Sequence, residues 1–83
     1  MIRYLYKYPG VFDLAEVRIL TAALNDAWTT VEASGVRYAM GDNAEPSRAA
    51  LAKHIIESAM QGERDQRRLS EGAQVSLAED HKG

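Results

Sequence analysis

The chain has no cysteine, so neither a disulfide nor a thiolate metal site can staple its fold. It also lacks a long hydrophobic run: Arg, Asp, Glu or Asn interrupts every apolar stretch within a few residues, which excludes a membrane span. No segment has the charged, apolar and small-residue order of a signal peptide. These absences lead to the expectation of a cytoplasmic protein. A formal charge of -2 gives no global attraction to nucleic acid or anionic lipid, so any such binding needs a local patch. At 83 residues a single core covers about 60–70% of the unfolded surface, and extra stability must come from close helix packing or a partner chain.

What is present is helical periodicity. From Asp13 to Ser34, residues Val17, Leu20, Leu24, Ala27, Trp28 and Val31 recur at steps of three and four, forming one stripe of a helix. Asp13 and Glu16 have capping-box spacing, and Phe12 and Val17 have the spacing of a hydrophobic staple. Gly35 is placed to end this helix, with Val36 as the apolar residue of a Schellman motif. Residues 36–45 carry neither regular period and read as a loop. A second helix is predicted from about Pro46 to Met60, with Leu51, Ala52, Ile55, Ile56, Ala59 and Met60 on its apolar face. Lys53, His54, Glu57 and Gln61 lie opposite. Gly62 closes it, and Asp65 caps a third helix reaching about Ala78, with Leu69, Ala73 and Leu77 spaced four apart. Gly72 inside that helix costs about 1 kcal/mol relative to alanine, which points to close contact with a neighbouring helix.

The first residues break this pattern. Ile2, Tyr4, Tyr6 and Tyr8 alternate with Arg3, Leu5 and Lys7 before Pro9-Gly10, a period of two that predicts an extended arm or strand. With no sheet to join, its backbone would pair with a copy from another chain. The expected organisation is thus an extended arm over residues 1–12, a helical bundle over 13–78 and a disordered tail over 79–83. The fold class is all-α, a three-helix bundle with an N-terminal arm, assembled as a homodimer.

The run Arg48-x-x-Leu51-x-x-x-Ile55-Ile56-x-x-Ala59-x-x-Gly62-Glu63-Arg64-Asp65-x-x-x-Leu69 follows Phe12-Asp13 and a helix holding Trp28. It resembles a group of short uncharacterised bacterial helical proteins over most of residues 12–77. The resemblance implies an all-helical fold and a bacterial origin, and it brings no activity with it.

Chemistry is sparse. His54 and Glu57, one turn apart, are two metal ligands where three or four are needed; His81 lies in the tail. They read as solvated surface groups, and no metal or cofactor is expected. The serines and threonines read as loop or helix-surface groups with no histidine expected at a helix-neighbour spacing, so the chain is not expected to be an enzyme. Arg48 falls in line with Leu51, Ile55 and Ala59 and is expected to snorkel or to pair with an acid. Arg64, Arg67 and Arg68 follow a turn glycine as in a helix-turn-helix reader, but Glu63, Asp65 and Glu71 interleave with them and favour a salt-bridged face. Ile19 projects off the main stripe among Ala22, Ala23 and Thr30, a patch suited to contact between subunits.

These features lead to one functional expectation, a small non-enzymatic interaction module acting as a homodimer and able to take a protein partner. Its candidate interface is Ile2, Tyr4, Tyr6, Tyr8, Ile19, Ala22 and Ala23. The alternative is a DNA-binding regulator using paired arms, with Arg3 and Lys7, or the cluster Arg64, Arg67 and Arg68. Nucleic acid is the less favoured partner, because the chain is acidic overall.

Overall fold

In the computed structural model, residues 1–80 are described, the side chain of Ile2 excepted. Three helices, α1 (Leu14–Ala33), α2 (Ala44–Met60) and α3 (Gln66–Asp80), pack pairwise against one another into a bundle. Short 3-10 turns lie at Ile2–Tyr4, Arg37–Ala39 and Gly41–Asn43, and no strand occurs among the described residues. Leu20, Leu24, Leu51, Ile55, Ile56 and Leu69 are the largest fully buried side chains. Burial of each is worth about 1.5–3 kcal/mol against exposure to water. No helix among the described residues is long and apolar enough to cross a membrane.

Local chemistry sets the helix ends. The Asp13 carboxylate accepts from the Glu16 N–H at 2.8 Å, and the Glu16 carboxylate accepts from the Asp13 N–H at 3.0 Å. This reciprocal box closes the start of α1 as its spacing predicts. Gly35 (φ 72°) and Gly62 (φ 108°) take the left-handed backbone that ends α1 and α2, where a side chain would strain the turn. The helix α2 starts two residues earlier than predicted, so Pro46 is its third residue; an N–H there has no intrahelical acceptor in any case. Met60, placed on the apolar face by its spacing, is 53% exposed because α2 ends there, beyond the packed stretch. Glu79 and Asp80 continue α3 rather than starting a tail, and residues 81–83, with His81, lie outside the described residues.

At the α2–α3 boundary the Asp65 carboxylate accepts from the Arg68 N–H at 2.9 Å. Asp65→Ala is expected to destabilise the fold by about 1 kcal/mol in urea denaturation, and Asp65→Asn by much less, since asparagine also caps. Equal losses would mean that the negative charge, and not the cap, matters there.

Gly72 has the contact its position suggested. A Cβ built on it would lie 3.2 Å from Nε2 of His54 on α2. Thus His54 is half-buried beside α3.

Candidate interaction surface

The first twelve residues do not form the extended arm that the alternation predicted. Three successive turns fold them back: Tyr4 N–H donates to Met1 C=O, Tyr8 N–H to Leu5 C=O, and Val11 N–H to Tyr8 C=O. With turns of this pitch the inward residues fall at steps of three and four, and Met1, Tyr4, Leu5 and Phe12 pack against the helical core. The residues left over point outward, with Tyr6 74% exposed.

This folding leaves an apolar surface. Leu5, Tyr6, Tyr8, Phe12, Leu14 and Val17 line one open hollow of about 430 Å³ on the α1 side of the segment. Phe12 and Val17, the staple pair, form part of its wall. Leu14, the first residue of α1, is 69% exposed, and Val11 is 47% exposed. Leu14 and Val11 were absent from the expected interface. Their signal in the sequence was an apolar residue off the α1 stripe beside another just ahead of the cap.

The structure divides the expected interface residues. Tyr4 is turned inward, and its hydroxyl donates to Glu45 Oε1 at 2.9 Å. Burial, and then this bond, raise its pKa above the ordinary tyrosine range. Tyr6 is open and Tyr8 half-buried, while the side chain of Ile2 lies outside the described residues. The patch around Ile19 is corrected: Ala23 is fully buried, and Ile19 packs half-buried against the chain's own core. Because α1 touches both α2 and α3, its buried arc is wider than a single stripe, and Ala22 lies at its edge.

The cations are largely compensated. Arg64 Nε donates to Glu16 Oε2 at 2.7 Å, and the same guanidinium donates to the Ala59 carbonyl and stands 5.6 Å from the centre of the Phe12 ring. One side chain therefore ties the start of α1 to the end of α2. The bond from the Asp13 backbone, and then Arg64, hold the Glu16 carboxyl below its ordinary pKa. Arg67 pairs with Glu71 at 2.9 Å, Arg3 with Glu45 at 2.9 Å, and Arg68 lies 4.0 Å from Glu63. Lys7 stands 5.7 Å from the centre of the Tyr6 ring and has no carboxylate partner among the described residues. Arg48 makes no ion pair among them, and its buried Nε has no hydrogen-bond partner.

His54 and Glu57 do not converge. Glu57 is exposed, with its carboxylate 3.9 Å from Lys53, and no three His, Asp or Glu side chains among the described residues are grouped to hold a metal. His54 and Ser58, four residues apart on α2, do line a polar hollow of about 430 Å³ with Gln61, Glu63 and Arg68. This i, i+4 pair corrects the expectation that no serine has a histidine at helix-neighbour spacing. No hydrogen bond joins the two side chains, so a nucleophile–base contact is lacking there.

These features define a small all-helical domain with an apolar face at its N-terminal end and a mostly salt-bridged face elsewhere. No protein-family model, curated protein or solved structure matches the chain. The all-helical fold implied by the resemblance over residues 12–77 is present.

Proposed function

We propose that the protein is a small non-enzymatic interaction module that acts as a homodimer through the apolar surface of residues 5–17. The observation carrying this reading is the exposure of Tyr6 and Leu14 about one hollow, with Val11 exposed in the same segment. Large apolar side chains exposed together on a small soluble domain mark a contact site more often than scattered single ones do. A two-fold contact lets the same patch cover itself, and tyrosine supplies broad contact area with few rotatable bonds. The small cysteine-free core gains stability from such a contact.

Light scattering coupled to gel filtration at micromolar concentration is expected to give about twice the chain mass of 9.2 kDa. Leu14→Lys and Tyr6→Lys are expected to give monomers with unchanged helix content. A clean monomer of high thermal stability in the unsubstituted protein would overturn the proposal.

DNA binding is the weaker reading, since Arg3, Arg64 and Arg67 are engaged by carboxylates and only Lys7 among the proposed cations lacks one. Nanomolar, salt-sensitive duplex binding lost in Arg3→Ala/Lys7→Ala, with the dimer intact, would put it first.

A further inference from the structure

The turned N-terminal segment has a second side. Facing α2, Tyr4, Tyr6, Lys7 and Tyr8 meet Ala49, Lys53 and Ile56 around a groove of about 310 Å³. Its floor is the buried Ile56, its walls are phenol rings, and no carboxylate lines it. The Tyr6 and Tyr8 hydroxyls have no partner among the described residues, and neither lysine is firmly held. Lys7 is uncompensated, and Lys53 is 3.9 Å from Glu57 with three-quarters of its side chain exposed. Around the groove Arg3, Lys7, Arg48 and Lys53 outnumber Glu45 and Glu57, a local positive excess on a chain whose formal charge is -2.

We infer that this groove binds a small aromatic monocarboxylate, its ring laid against Ile56 and the tyrosines and its carboxylate between Lys7 and Lys53. The volume is at the low end of ligand sites, which suits one or two fused rings. Arg48 does not line the groove and Lys53 shares its charge with Glu57, so the lining itself offers little more than one uncompensated cation, a match for a monoanion rather than a dianionic phosphate. A phenol hydroxyl donates to a carboxylate while its ring packs on an aromatic guest, so Tyr6 and Tyr8 serve both parts of such a ligand. The site shares Tyr6 and Tyr8 with the hollow assigned to self-association, but its remaining wall is α2 rather than α1, and its two lysines line only the groove.

The test is an NMR titration of the full chain with indole-3-acetate, beside neutral tryptophol and acetate. Saturable shifts are expected at the amides of Tyr6, Lys7, Tyr8, Ala49, Lys53 and Ile56. Tryptophol is expected to bind about tenfold more weakly, and acetate weaker still, because each supplies only half of the contact. Lys7→Gln/Lys53→Gln should lose about tenfold for indole-3-acetate and nothing for tryptophol, with the helical amide pattern retained. Equal affinity for the acid and the alcohol, shifts centred on another surface, or no saturation by about 10 mM would overturn the inference.

Discussion

Ile55→Ala is expected to remove about 3–4 kcal/mol of stability. Ile55 is fully buried at the middle of α2, the helix that touches α1, α3 and both turns of the connecting segment. Truncation loses the transfer energy of the removed carbons and leaves a void that three elements would have to move together to fill. A domain of 83 residues has about 4–12 kcal/mol in total. The melting temperature should therefore fall by about 15–25 °C in far-UV circular dichroism. A loss below about 1 kcal/mol would mean that the helices close over the gap without strain.

The second large effect is in the opposite direction of volume. Ala23→Leu is expected to destabilise the protein by about 2–3 kcal/mol without strengthening self-association. Ala23 is fully buried within one chain, so added carbons must displace neighbours in α2 or α3. Were the residue part of a contact between subunits, the leucine would leave the monomer's fold unstrained and alter only the oligomer. Urea denaturation followed by light scattering on the same sample separates the two. A variant of unchanged stability and tighter association would restore the Ile19 patch as an interface.

Legibility in the sequence followed the range of the interactions concerned. The start of α1 was readable because Asp13, Glu16 and their backbone partners lie within four residues, and the box closes without help from the rest of the fold. The stops at Gly35 and Gly62 and the cap at Asp65 are equally local. The width of the buried arc on α1 was not readable. Whether Ala23 faces solvent depends on α2 and α3 both lying against α1, which periodicity in one helix does not encode. The N-terminal segment failed for a different reason. Ile2, Tyr4, Tyr6 and Tyr8 fit a period of two, but Met1, Tyr4, Leu5 and Phe12 fit the spacing of successive turns, and packing against the core selected the second pattern. The apolar surface was misplaced along with it: Tyr6 was found, whereas Val11 and Leu14, just outside regular periodic runs, were not. Pairing of the arginines was anticipated as a face, but Arg64 reaching Glu16 across 48 residues is a tertiary fact.

The contact between Gly72 and His54 constrains the order in which this sequence can change. A methyl at 72 would lie 3.2 Å from the imidazole edge at 54, so that ring would have to give by a few tenths of an ångström. A lineage in which 72 becomes alanine gains helix propensity in full once 54 has shortened; taken in the reverse order, the gain is offset by the shift the imidazole must make. The two positions are therefore expected to drift together, and a shortened residue at 54 would open the way for a more strongly helical α3.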